Sequence, residues 1–299
     1  MKIVQSFWSK PFQQPHDTSF ESRMMGGFPL KRYFIYTWAL SLLQLKRHFK
    51  QVHLITDDWG KRFFIDILQL PYDGFSTELN ALEALPSKFW CAGKLHTFST
   101  LKEPFLHFDG DLILGDRFDK DKVQQPLVAE FKYTDVNNIY HNALNELINK
   151  DKLFDLPTYL TKGSLSKHLV YSDYNMGIIG GYNYSVMNAY AISSINMIHN
   201  NLQFIPSTSV PVSFINCFME QYCFYETCST QQLKVKLCID ETIASNTDYQ
   251  KEALHNLNMD FDFVHLHNNY KLNYYMQPEI WLQRFYPSEH KRINTILFN

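Results

Sequence analysis

Apolar positions along the chain fall into two alternating lengths. Short runs at Ile3 to Phe7, Val52 to Thr56, Tyr72 to Thr77 and Phe105 to Leu114 have the length of strands. Longer segments between them read as helices. Lys31 to Lys50 is apolar through its middle and ends on Lys46, Arg47 and Lys50, the sign that suits a helix C-terminus. Gly60 to Leu70 and Ser87 to Leu101 read as further helices, with a helical turn from Leu79 to Leu85 stopped by Pro86. Strand and helix alternating in this way predict an α/β fold. Its central sheet should be mixed, mostly parallel and flanked by helices, with ligands at the carboxyl ends of the strands. Trp8, Asp57 and Asp109 all fall at such ends, so one crevice can collect them.

The second half is less regular. Val128 to Phe131, Leu233 to Cys238 and Phe261 to Leu266 read as strands, and Asn137 to Lys152, Tyr184 to Asn200 and Val212 to Glu226 as helices. Ser9 to Pro29 is a long polar loop, and Pro278 to Asn299 reads as a helix packing back on the body. Ser172 to Gly181 is a glycine-rich strand. No helix follows it at Rossmann spacing, so it is not a dinucleotide fingerprint. Its glycines either bend the strand or let a ligand approach the backbone. No repeat, low-complexity tract or linker divides residues 1–299, which read as one domain.

Composition narrows the function classes. Hydrophobic residues make up 45% of the chain, enough for a large core. A net charge of -2 with scattered Lys and Arg argues against nucleic acid as a partner. The 24 Phe and 18 Tyr can line sugar- or base-stacking surfaces, although most belong in a core. The five cysteines are odd in number and form no Cys-x-x-Cys, which points to reduced thiols in a cytosolic protein. The N-terminus has no signal-peptide h-region, and the apolar Tyr33 to Leu45 segment is too short to span a bilayer. A cytoplasmic location with at most peripheral membrane contact is expected.

The candidate chemistry lies in Phe108-Asp109-Gly110-Asp111-Leu112. Three Asp-x-Asp triplets occur, and this one alone has apolar flanks on both sides. Asp119-Lys120-Asp121 sits in a charged turn, and Asp260-Phe261-Asp262 opens a later strand with its acids towards water. Two carboxylates ending a buried strand need compensation, which Mg2+ or Mn2+ supplies most simply. Gly110 is expected to let the backbone bend so that both side chains reach one ion. His265 and His267, two apart on a strand, share a face and are followed by Lys271, a point-charge binder of phosphate.

Three segments together resemble the GT-A glycosyltransferases of the glycogenin and lipopolysaccharide galactosyltransferase type. They are Gly93-Lys94-Leu95 leading into Asp109-Gly110-Asp111; Asp173-Tyr174-Asn175-Met176-Gly177-Ile178; and the spacing of His265, Asn268 and Lys271, similar to the family's His-x-x-Gly-x-x-Lys. Asn268 stands where the family has glycine, no Pro-Trp follows Lys271, and Glu220-Gln221 is the nearest match to the family's Asp-Gln. The resemblance implies a Rossmann-like GT-A fold, with residues 1–115 as the nucleotide-binding half. Residues 116–299 then form an acceptor half whose end returns to the metal site. It implies that Asp109, Asp111 and His265 bind Mn2+ or Mg2+, and that Trp8, Asp57, Lys94, Gly177 and Lys271 contact a UDP-linked sugar donor. Lys94, Asn175 and Glu220 would be the catalytic residues of a hexosyltransferase acting on a glycan, glycolipid or protein acceptor in polysaccharide biosynthesis. Two other readings of the residues remain open: a metallohydrolase built from His107, Asp109, Asp111, His265 and His267, and a non-catalytic nucleotide-sugar- or carbohydrate-binding protein.

Overall fold

The computed structural model describes residues 1–13, 24–134, 142, 171–202, 210–240, 247–267 and 269–298. The helix expected over Asn137 to Lys152 and the Asn268 position lie outside the described residues. Strands β1 (Lys2–Phe7), β2 (His53–Thr56), β3 (Gly74–Ser76) and β4 (Phe105–Phe108) run parallel in the order β3-β2-β1-β4. The sheet continues through β7 (Ser172–Gly181), which is antiparallel to both neighbours, to β6 (Val128–Thr134) and β8 (Lys236–Leu237). It is a seven-stranded, mostly parallel sheet flanked by helices, as the alternating pattern predicts. The remaining strands, β5 (Leu112–Leu114) and β9 (Phe263–His265), form a separate antiparallel ribbon.

Side-chain alternation sends each strand's residues into two cores. Ile3 and Phe7 of β1, Leu54 of β2, and Leu106 and Phe108 of β4 join one cluster. Helix α2 (Lys31–His48) and the C-terminal pair α8 (Gln277–Phe285) and α9 (Pro287–Phe298) add Leu40, Trp281 and Ile293 to it. Val4, Ile55, Phe105 and Ile179 face the other way, onto α4 (Ala92–Thr100), α5 (Tyr184–Asn201), α6 (Val212–Cys217) and α7 (Cys223–Thr230). Burying each large apolar side chain stabilises the fold by about 1.5–3 kcal/mol, so both faces of the sheet are strongly committed. Among the described residues, no helix is long and apolar enough to cross a membrane.

The differences from the sequence reading have local causes. The run from Phe105 to Leu114 is two strands in two sheets, divided at Asp109–Asp111. Helix α4 begins at Ala92 instead of Ser87, because a turn closed by Phe89 N–H to Pro86 O and Ala92 N–H to Phe89 O precedes it. The second predicted helix starts earlier, with α3 (Asp58–Lys61) capped by Asp57 and continuing as a π-turn over Arg62–Ile67. The C-terminal helix is two helices. The short α1 (Ser9–Gln13) and a turn at Met24–Gly27 lie within the predicted polar loop.

Gly110 serves packing rather than carboxylate convergence. A Cβ there would collide with the Cε3–Cζ3 edge of Trp38, which lies against the turn from α2. Gly110→Ala should therefore destabilise the fold by about 1–3 kcal/mol, the usual range for overpacking a core, read from urea denaturation.

Candidate functional site

The Asp109–Asp111 turn sits where the strand order reverses between β1 and β4, at their carboxyl ends, the usual ligand crevice of an open α/β sheet. Its backbone is fixed from three sides. Asp109 N–H donates to Gly177 O (2.9 Å), Leu266 N–H donates to Asp111 O (2.9 Å), and Ser41 Oγ donates to Leu112 O (2.5 Å). The β5–β9 ribbon pairs Leu112 with His265, which carries the histidine from the far end of the chain to the two aspartates. His265 Nε2 lies 3.3 Å from Asp111 Oδ1 and 3.8 Å from Asp109 Oδ2. Oxygen and nitrogen atoms of the three side chains gather within 4.8 Å of one another, which suits ligands about 2.0–2.2 Å from one divalent ion.

Cations flank this group. Lys94 Nζ from α4 bridges Asp109 Oδ1 (2.9 Å) and Glu220 Oε1 (2.7 Å) and donates to Met176 O (3.3 Å). Burial opposes the charge on Lys94, but Asp109 and Glu220 outweigh it and hold the amine above its usual range. Lys271 Nζ meets Asp111 Oδ2 at 2.6 Å and donates to Gly26 O at 2.8 Å, with its ammonium over the Phe28 ring. Burial pushes the Asp111 carboxyl up, but Lys271 and His265 prevail and leave it well below the usual carboxylate range. Burial also disfavours the His265 imidazolium, yet Glu130 and Asp111 raise it to about 10. His267 goes the other way, lowered to about 3 by burial and by its charged neighbour His265.

A cavity of about 750 Å³ opens over these groups. Trp8, Lys94, Asp109, Asp111, Asn175, Glu220, His265, His267 and Lys271 all line it, so most of the residues singled out from the sequence meet in one place. Glu220 reaches it from a π-turn at Phe218–Tyr222, between α6 and α7, an irregularity common at functional sites. Aromatic rings form the rest of the wall, among them Phe12, Phe28, Trp38, Trp90 and Tyr133. Helix α4 is anchored at its start by Cys91 N–H to Asn216 Oδ1 (3.0 Å), while Gly93 lets the helix pack against Trp8.

Asp57 and Gly177 have other places. Asp57 lies outside the cavity wall, with Oδ2 accepting from Ser9 N–H and Oδ1 from Gly60 N–H, both at 2.8 Å. It caps α3 and ties α1 to it, with each oxygen engaged by a backbone amide. Gly177 stands behind the centre. A side chain there would collide with Glu130 Oε2 and approach His265 Nδ1 to 2.6 Å. Glu130 itself escapes the sequence reading, although one carboxylate in the apolar run from Val128 to Phe131 is a signal that a partner must exist. His107 is 1% exposed, its Nε2 2.8 Å from Ser6 Oγ and its Nδ1 3.7 Å from Asp109 Oδ1. Burial lowers it to about 3, so it is a neutral support behind Asp109.

The other two triplets behave as expected. Asp119 caps an exposed turn, and Asp260 pairs with Arg117 on the surface. Asp57→Ala should lower stability by about 1–2 kcal/mol, the loss of a helix cap, read from urea denaturation.

The family model of DUF6734, described as a family of unknown function, matches residues 1–296, and the chain belongs to that family. No curated protein matches it.

Proposed function

We propose that this protein is a metal-dependent glycosyltransferase of the GT-A fold that takes a sugar from a UDP-linked donor. The observation that carries the reading is the meeting of Asp109, Asp111 and His265 between Lys94 and Lys271, in one aromatic-walled cavity at the carboxyl ends of the parallel strands. Mn2+ or Mg2+ held by the first three would supply positive charge to a departing diphosphate. Lys94 and Lys271 are compact point charges whose present partners are carboxylates. A diphosphate would give each of them a further anion within reach. Trp8 and the neighbouring rings offer flat apolar faces to the base, as base stacking requires. Asn175 Oδ1 accepts from Gly177 N–H (3.1 Å), which orients its amide in the cavity wall where a sugar hydroxyl would sit. Glu220 keeps Lys94 in place through a 2.7 Å contact.

The acceptor in this reading is a glycan, glycolipid or protein hydroxyl entering from the open side, in a cytoplasmic protein with at most peripheral membrane contact. A metallohydrolase would use His107 and His267 as ligands as well. His107, however, is turned to the Ser6 hydroxyl and is absent from the convergent set.

Thermal melts with UDP, UDP-sugars and GDP, each with and without Mn2+, test the proposal. A rise in melting temperature that needs UDP and Mn2+ together, and disappears in Asp111→Ala, is expected. A shift with metal alone and none with any nucleotide would point to the hydrolase. Donor-dependent UDP release then separates an enzyme from a non-catalytic binder. Lys271→Ala should weaken UDP binding by about tenfold or more in a calorimetric titration, since a charge-assisted hydrogen bond is worth about 1.5–3 kcal/mol.

A further inference from the structure

Glu130 is fully buried on β6, yet its carboxylate does not reach the cavity wall. Its backbone is held firmly, because both Cys238 N–H (3.0 Å) and Ile239 N–H (2.9 Å) donate to Glu130 O. The register of β6 against β7 shifts at this residue. Ala129 faces Ile179, whereas Phe131 faces Asn175, so Met176, Gly177 and Ile178 stand opposite Glu130 alone. Irregularities of this kind re-aim side chains beside functional sites. Here Glu130 Oε2 accepts from Gly177 N–H at 3.1 Å and lies 2.8 Å from His265 Nδ1. Only glycine at 177 leaves room for that contact, since a Cβ would lie 2.6 Å from both Cε1 and Nδ1 of His265 and would overlap Glu130 Oε2.

Both of these contacts fall on Oε2 and leave the other oxygen of the carboxylate unused. Glu130 Oε1 is buried with no hydrogen-bond partner among the described residues. An acceptor left unsatisfied in the interior weakens a fold, which offsets part of what the contacts to Gly177 and His265 contribute. The geometry links three parts of the centre. Gly177 donates to Glu130 through its N–H and accepts from Asp109 N–H through its carbonyl, while Glu130 grips His265.

We infer that Glu130 is the positioning residue of the metal centre, orienting His265 so that Nε2 faces Asp109 and Asp111. As the acceptor for Nδ1–H, it fixes the rotation of the ring and reserves the opposite nitrogen for the ion. Glu130 touches neither ion nor substrate, and the inference rests on the metal-binding part of the proposed function. Carboxylates standing behind a metal-bound histidine typically change metal affinity by about 10–100-fold when removed.

The test uses the full chain and Mn2+ alone, with affinity read by calorimetric titration. Glu130→Leu should bind Mn2+ about 10–100-fold more weakly than the wild type. Its melting temperature without metal should fall, because Gly177 N–H and His265 Nδ1–H lose their buried acceptor, so affinity is read at a temperature where the variant is fully folded. Glu130→Gln keeps an acceptor for Nδ1–H and should recover most of the affinity. In a His265→Ala background, Glu130→Leu should weaken Mn2+ binding no further, because a residue acting through His265 has nothing left to position. Wild-type affinity in Glu130→Leu, or an equal loss with and without His265, would overturn the inference.

If the wild type binds no Mn2+, the metal reading falls, and the orienting contact is still measured by NMR. A slowly exchanging His265 Nδ1 proton present in the wild type and in Glu130→Gln, but lost in Glu130→Leu, supports the positioning role. The same proton unchanged in Glu130→Leu refutes it.

Discussion

Two carboxylates one residue apart, at the end of a fully buried strand, set the terms for the rest of this structure. Asp109 and Asp111 cannot stay charged there alone, because an uncompensated ion in the interior destabilises a fold by several kcal/mol. Three cationic groups answer them, and each comes from a different part of the chain: Lys94 from α4, His265 from β9, and Lys271 just beyond. The β5–β9 ribbon exists at the point where this demand is made. It returns the C-terminal third to the turn and places His265 across from Leu112. Neutralising the acids and assembling the site are therefore one structural event.

A second constraint lies under the turn. Trp38 Nε1–H donates to Tyr72 OH (2.6 Å), which donates to Gln5 Oε1 (2.8 Å), while Gln5 Nε2 donates to Ser41 Oγ (3.0 Å) and Ser41 to Leu112 O. This buried chain joins α2, β1 and the loop before β3 to the carboxylate turn. Each link satisfies a polar group that would otherwise weaken the core, so the chain holds only as a whole. The Trp38 ring in the same network fills the space that Gly110 leaves open and also packs against Phe7, Phe34 and Phe64. The aromatic content of the sequence is thus largely core, as expected, with a minority of rings turned to the cavity.

Legibility in the sequence followed the range of the interaction responsible. Strands β1, β2 and β7 and helix α2 are set by local periodicity, and their limits were readable to within a residue or two. Asp109, Asp111, Lys94 and His265 were readable because an apolar flank or a shared motif isolates them. Asp57 was readable as the end of a strand, but its role as a helix cap was not, because sequence does not show which amides are nearby. The bend attributed to Gly110 was a close approach by Trp38, seventy-two residues away in the chain. Glu130 was hidden because its partners, Gly177 and His265, are contributed by β7 and β9, and only the register shift between β6 and β7 brings them together.

The arrangement of charges bears on how the centre would accept the anionic donor of the proposed function. Lys94 and Lys271 are anchored at both ends of their reach, by Glu220 and Met176 O on one side and by Gly26 O on the other. On the proposed function, neither would have to be drawn from bulk water by phosphate oxygens, so little ordering would be left to be done at binding. On the same reading, Asp109 and Asp111 would exchange part of an ammonium contact for a divalent one. His265 is held in the same manner, by Glu130 at its far nitrogen. The two carboxylates are thus surrounded by two ammonium groups and one imidazole, each fixed by a further partner behind it.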